Sequence, residues 1–182
     1  MRRMNKGLSF VLGMFLIAWG LNACASQPLF PVAVLKDADP VVDFGVLKAE
    51  PDTYKGRVLQ LAGRIVGVED TTDGTLIVVH ELPIAEHPVY GPVETGVATG
   101  EFAVFFPGKL KPQDAVAGNR LVVIGRIQGS RSLRVQGVPQ TVPYLVARCA
   151  AIWATGGEEI YTYLVRHGGD NYPQIEQTYC AS

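Results

Sequence analysis

The side chains able to do chemistry in this 182-residue chain are three cysteines, three histidines, a few serines and a run of arginines. His80-Glu81-Leu82-Pro83-Ile84-Ala85-Glu86-His87 has the residue types of a zinc-protease helix, but that motif needs its histidines four apart on one helical face. Here they are seven apart, and Pro83 between them breaks any helix. Glu81, Glu86 and His87 are therefore expected as solvated loop groups, and no metal site is expected. His167, beside Gly168-Gly169, reads as a turn residue. Ser26, Ser130, Ser132 and Ser182 lie outside any G-x-S-x-G elbow. Neither phosphate-loop spacing, G-x-x-x-x-G-K-S/T or G-x-G-x-x-G, occurs. Glu158 and Glu159 would point to opposite faces of a strand, and Cys149 lies in an apolar run where a thiol packs or is bridged. No catalytic constellation emerges. The expectation is a non-enzyme without a cofactor.

One charge feature is not random. From Ala115 to Gly157 there is no Asp or Glu, yet Arg120, Arg126, Arg131, Arg134 and Arg148 all occur. Arginine is the side chain best shaped for two-pronged contacts with phosphate or carboxylate. The sharper expectation is an anion-binding face carrying Arg126, Arg131 and Arg134, meeting anionic lipid headgroups or acidic cell-wall groups. The plainer one, which the composition favours, is that acidic residues from neighbouring strands balance these arginines.

Cys24 has a different setting. The chain opens with Arg2, Arg3 and Lys6, continues through an apolar stretch from Leu8 to Leu21 and ends on Leu21-Asn22-Ala23-Cys24. A basic start, a short apolar middle and a small-residue exit make a secretory signal peptide. The apolar stretch falls short of the roughly 18–20 residues of a bilayer span. An apolar residue three places before a Cys, with Ala directly before it, resembles a lipobox. In signals of that type the Cys takes a diacylglyceryl thioether, the leader is cut in front of it, and the new amine is acylated. Two other fates compete: retention as an uncleaved anchor, or ordinary cleavage after Ala25, since Ala23-Cys24-Ala25 is itself an A-x-A pattern. The lipobox is the favoured reading, with Cys24 as the lipidated first residue.

Cleavage there takes three of the 16 basic residues and none of the 17 acidic ones, leaving 13 against 17, a net charge of −4. Such a balance argues against a nucleic-acid partner, which calls for a basic excess. With Cys24 committed to lipid, Cys149 and Cys180 remain, in an exported protein where disulfides persist. A Cys149–Cys180 bridge pinning the C-terminal tail is expected, against the alternative of two free thiols.

Residues 25–40 contain Pro28, Pro31 and Pro40 with little periodicity and read as an extended tether. From Val41 to Ala49 the apolar positions Val42, Phe44, Val46 and Leu47 fit a short helix, ended by Glu50-Pro51. Two similar runs follow, from Gly56 to Gly67 and from Gly118 to Gly129. Each is β-branched and apolar with a glycine partway and then Arg-Ile. A glycine inside a strand marks a bulge or a bend that lets a small sheet close. Further strands are expected at Thr75–His80, Phe102–Phe106, Leu133–Val138 and Tyr144–Trp153, with a helical turn in 111–118. Glu158–Arg166 reads as one more strand and Gly168–Ser182 as a tail. The order suits a mainly β fold, a small closed or partly open OB-like β-barrel with a short N-terminal helix and a C-terminal extension. The expected divisions are 1–23 signal peptide, 24–40 tether, 41–153 barrel domain and 154–182 extension.

The ordered blocks also carry a family resemblance. They are the lipobox at Cys24, Glu50-Pro51-Asp52-Thr53-Tyr54-Lys55-Gly56, Gly63-Arg64-Ile65, Asp73-Gly74-Thr75-Leu76, Leu82-Pro83-Ile84 and Thr99-Gly100-Glu101-Phe102. Further on come Pro107-Gly108-Lys109-Leu110-Lys111-Pro112, Gly125-Arg126-Ile127-Gln128-Gly129 and Val142-Pro143-Tyr144-Leu145-Val146. Together they resemble the Slp family of outer-membrane lipoproteins, named for a starvation-inducible member. Departures are Lys111, where such proteins commonly have Asp, and the extension from Ala154 with its extra Cys. The resemblance implies a lipid-anchored Gram-negative envelope protein with a structural or interaction role, stress-related by the family's name, and no catalytic residues. The alternative is a periplasm-facing OB-type module that binds a peptide, a glycan or an anionic ligand.

Overall fold

The computed structural model describes residues 28–39, 42–85, 91–94, 99–160, 162, 166 and 177–181. Cys24 and the whole leader lie outside the described residues, as do Glu86, His87 and His167. Six strands run in chain order: β1 Val58–Asp70, β2 Thr75–Glu81, β3 Glu101–Phe106, β4 Arg120–Val135, β5 Val138–Trp153 and β6 Gln177–Cys180. They form one sheet in the order β3-β2-β1-β4-β5-β6, and β3 also pairs with β5. Five strands thus close into a hydrogen-bonded ring, the arrangement that the OB-like expectation requires. All pairings are antiparallel except β3–β5, where Ala103, Val104 and Phe105 face Tyr144, Leu145 and Val146 in parallel. Closure removes the unpaired edges that a flat sheet would expose.

The two look-alike runs become neighbours. β1 and β4 pair antiparallel so that Gly63 faces Leu121 and Gly125 faces Leu59, a near-symmetric exchange. Both glycines are needed for close approach. A Cβ on Gly63 would lie 2.0 Å from the His80 carbonyl oxygen, and one on Gly125 would lie 2.3 Å from Leu145 Cδ1. Register shifts at Ile65/Gly67, Ile124/Gly125 and Ile127/Gly129 supply the bends.

Period-two alternation sends apolar side chains to both faces of these strands. Inside the ring, Leu59, Leu61, Ile65, Ile77, Val79, Leu121, Val123 and Leu145 form the main core. Helix α2, Phe44–Ala49, caps one end with Phe44 and Leu47, its N-terminus held by Asp43 accepting from the Val46 amide at 3.2 Å. Phe44 meets Phe102 with ring centroids 5.9 Å apart. Val46, expected on the apolar face, is exposed. A 3₁₀ turn, Pro51–Tyr54, follows where proline ends the helix.

Outside the ring, Val58, Ala62, Val122, Ile124, Ala151 and Trp153 form a second cluster, covered by Phe30 and Ile160. Here the expectation of an extended tether needs correcting. Within that stretch Val32–Lys36 is a short helix, α1, and Phe30 is only 1% exposed. The outer faces of β1, β4 and β5 are too apolar to leave in water, and this segment covers them.

Three further expectations change. Leu133–Val138 is not a separate strand, because the chain reverses inside it at Gln136-Gly137, with φ of 49° and 84°. Two central residues with positive φ are the signature of a tight hairpin turn matched to strand twist. Pro139 and Pro143 then lie within β5, which is tolerated because the far edge of β5 meets β3 only from Tyr144 onward. In the expected strand Glu158–Arg166, residues Ile160, Thr162 and Arg166 are helical. Glu158 and Glu159 at its start complement the helix dipole, and Ile160 docks on the outer cluster. The expected tail contributes β6, which continues along the β5 edge where β3 stops.

Candidate functional site

An open cleft of about 620 Å³ lies where the N-terminal segment crosses the start of β1. Its charged lining comes from four places in the chain: Asp37 and Asp39 after α1, Lys55 and Arg57 before β1, Arg126 on β4 and Arg148 on β5. The backbone fixes each of them. The Asp39 amide donates to the Val58 carbonyl at 2.8 Å, and the Gly56 amide donates to the Ile127 carbonyl at 2.8 Å. Gly56 has φ of 88°, a conformation that glycine adopts without cost. Arg126 is the register partner of Val58. Arg148 is the extra residue where Ile124 and Gly125 face Cys149 and Ala147.

Two ion pairs cross the cleft. Arg57 Nε lies 2.9 Å from Asp39 Oδ2, and Arg148 Nη1 lies 2.8 Å from Asp37 Oδ2. Both pairs are substantially exposed, so each is worth no more than about 1 kcal/mol. Arg57 also lies over the Tyr54 ring, 5.1 Å from its centroid. Arg126 Nη1 donates to the Gly56 carbonyl at 2.6 Å. Among the described residues neither Lys55 nor Arg126 has a carboxylate partner. The lining carries four cations against two anions.

The other arginines are not gathered into one face. Arg131 lies over the Tyr144 ring at 4.9 Å, and Arg134 donates to the Gly137 carbonyl at 3.2 Å. Both lie on the projecting β4–β5 hairpin, three residues apart on one strand, and so emerge on opposite faces. Arg120 is buried and pairs with Glu94 through Nη2 at 2.9 Å, while Arg64 reaches the same carboxylate at 3.4 Å. Burial pulls the Arg120 guanidinium below its ordinary value. Glu94 opposes that shift, Arg64 adds to it, and Glu159 opposes it. Of the five arginines, Arg120 and Arg148 are thus balanced by acids from outside the arginine-rich stretch. Arg126 alone of the expected anion-binding three lines the cleft.

The model of the outer membrane lipoprotein Slp family matches residues 21–179. That span covers most of the chain and begins at the Leu21-Asn22-Ala23-Cys24 tetrad. The chain belongs to the Slp family of outer membrane lipoproteins. No curated protein matches it in sequence.

In this Slp-family chain, Cys149 and Cys180 are joined by a disulfide. They face each other directly across β5 and β6. The Ala181 amide donates to the Arg148 carbonyl beside them at 2.8 Å. The cysteines therefore occupy the non-hydrogen-bonded position, where side chains of an antiparallel pair come closest. From β6, Tyr179 reaches the inner core, its ring edge-on to Phe106 at 6.0 Å. Its hydroxyl donates to Asp114 and accepts from the Lys111 amide at 3.2 Å. Burial pushes the Tyr179 phenol up to about 12, and the hydrogen bond to Asp114 adds to that shift.

His80 lies 3.4 Å from Glu101 across β2 and β3, and Glu81 accepts from Thr99. Among the described residues no group of His, Cys, Asp and Glu could hold a metal ion. The sequence reading missed Asp37, Asp39, Glu94, Asp114 and Tyr179. Only a charge count that paired Asp37 and Asp39 with the downstream arginines would have pointed to the first two.

Proposed function

We propose that this protein is a lipid-anchored module of the outer membrane whose folded domain faces the periplasm and has a structural or interaction role rather than a catalytic one. The observation that carries this reading is the family match, which starts at the tetrad ending in Cys24. Cleavage in front of Cys24 and acylation of its thiol and amine would supply more than one lipid chain, enough for stable anchoring. Ala25 follows the cysteine in place of the Asp that typically holds lipoproteins in the inner membrane. Phe30 is already packed on the domain. Five residues, 25–29, then separate Cys24 from Phe30, and the six backbone steps between them reach at most about 22 Å, so the domain rides close to the membrane surface.

Fractionation followed by intact-mass measurement tests the anchor. The expected result is an outer-membrane protein that starts at Cys24 and carries acyl mass, with both signatures lost in Cys24→Ser. A mature chain starting at Ser26 without lipid would overturn it. The charged cleft supports a second reading, a binding module built on an OB-like ring, a use to which such folds are often put.

A further inference from the structure

We infer that the cleft between the N-terminal segment and the start of β1 is a binding site for a phosphomonoester group. Its ligands are the guanidinium groups of Arg126, Arg148 and Arg57 and the ammonium of Lys55. The inference rests on the cleft alone and stands whether or not Cys24 is lipidated.

Charge and donor number make the argument. The lining has four cations and two carboxylates, an excess of two positive charges. A phosphomonoester carries about −1.5 to −2 at neutral pH, with three strong acceptor oxygens, and so matches that excess. A monocarboxylate offers nothing that Asp37 and Asp39 do not already provide from within the chain. A guanidinium has five N–H donors. In the ion pairs and the backbone contact above, Arg57, Arg126 and Arg148 each engage one nitrogen, leaving donors for a ligand. Arginine's planar fork fits phosphate in two-pronged fashion, and such charge-assisted bonds are the strong ones.

The volume, about 620 Å³, falls within the range of small-molecule sites, roughly 300–1,000 Å³. The cleft is open, so the phosphate can enter while the rest of its carrier stays outside. Asp37 and Asp39 sit on the segment leading to the proposed anchor, and their exposed pairs with Arg148 and Arg57 are weak. They act as built-in competitors that an incoming dianion displaces. This gives the site an unusual signature: neutralising an acidic residue strengthens binding. The carrier can be a soluble phosphate ester or a lipid headgroup, since both present the same group.

The test is calorimetric titration of the full chain, purified in an uncharged detergent, with two probes: inorganic phosphate and short-chain phosphatidic acid. Short-chain phosphatidylcholine serves as the lipid control. Binding of both probes with similar affinity identifies a soluble ester as the carrier. Binding of phosphatidic acid at least about tenfold tighter than inorganic phosphate, with phosphatidylcholine inert, identifies a headgroup. The double variant Arg126→Gln with Arg148→Gln is expected to weaken binding by at least about tenfold. Asp37→Asn with Asp39→Asn should tighten it several-fold, and Arg131→Gln with Arg134→Gln should leave it unchanged. Arg126→Lys, which keeps the charge, should retain part of the affinity and guards against a folding defect in the glutamine variant. The inference is overturned if neither probe binds, if the Arg126/Arg148 variant binds as the parent does, or if the hairpin variant loses as much.

Discussion

The N-terminal segment from Leu29 to Asp39 and the C-terminal strand β6 both dock on the ring, and different chemistry fastens each. β6 is held by the Cys149–Cys180 bridge, by ladder pairing from Cys149 to Ile152 and by Tyr179 reaching into the inner core. The N-terminal segment has no covalent link. It is held by Phe30 in the outer cluster with Leu29, Val34, Leu35 and Ala38 packed against it, by one backbone hydrogen bond at Asp39, by a long bond of 3.4 Å from the Thr178 hydroxyl of β6 to the Leu29 carbonyl, and by two exposed ion pairs. The difference teaches which end of the molecule is built to stay shut. The C-terminal strand continues the β5 edge beyond the three residue pairs made by β3, so its loss would leave part of that edge and the inner core in water. The N-terminal segment covers an outer surface and carries acidic residues that a charged ligand can displace, so it can loosen while the ring stays intact.

Removing the bridge is the largest way to break this contrast. In the chain-entropy model a crosslink closing a separation of 31 residues is worth about 3–4 kcal/mol. Cys149→Ser with Cys180→Ser should therefore lower the unfolding free energy by about that amount in denaturant titration, and reduction of the parent should reproduce the loss. A loss below about 1 kcal/mol would mean that β6 is held by its packing alone.

Phe30→Ala sharpens the other side. It removes a fully buried aromatic ring from the outer cluster and should cost about 3 kcal/mol. Hydrogen exchange is expected to rise from residue 30 to residue 39 while β1–β5 amides stay protected. Loss of protection throughout the ring would show that the segment is as integral as β6.

The smallest effect belongs to Tyr179. Tyr179→Phe deletes the hydroxyl that pairs with Asp114, a carboxylate only 1% exposed, and should cost about 1–3 kcal/mol. The phenol's upward shift gives a pH signature. The contribution is fully present below about pH 10, where the unfolded tyrosine keeps its proton, and is lost as pH rises through about 12. Ultraviolet titration should show one tyrosine ionising near pH 12, with that step absent in Tyr179→Phe.

Much of the ring was legible in the chain. β-branched runs with internal glycines marked β1 and β4, because strand propensity and close backbone approach are local demands that residue type expresses. The Gln136-Gly137 turn was obscured, because Pro139 and Pro143 are stronger sequence punctuation and only their place on an unpaired edge makes them compatible with a strand. The Glu158–Arg166 stretch was misread as a strand, because its β-branched and aromatic residues outweighed a helix that docking on the outer cluster favours. The cleft was invisible: its six charged residues span Asp37 to Arg148, and no spacing rule connects them.

By itself, then, the sequence determined membership of the Slp family, a mainly β fold with close backbone approach at Gly63 and Gly125, and Cys149 and Cys180 as a candidate pair. These follow from local composition, period and parity. Only the tertiary structure decided that the supposed tether packs on the sheet, that β6 continues the β5 edge past β3, and that Arg126 faces a charged cleft while Arg131 and Arg134 diverge. Those outcomes depend on ring closure and register, which bring together residues a hundred positions apart and separate neighbours on one strand.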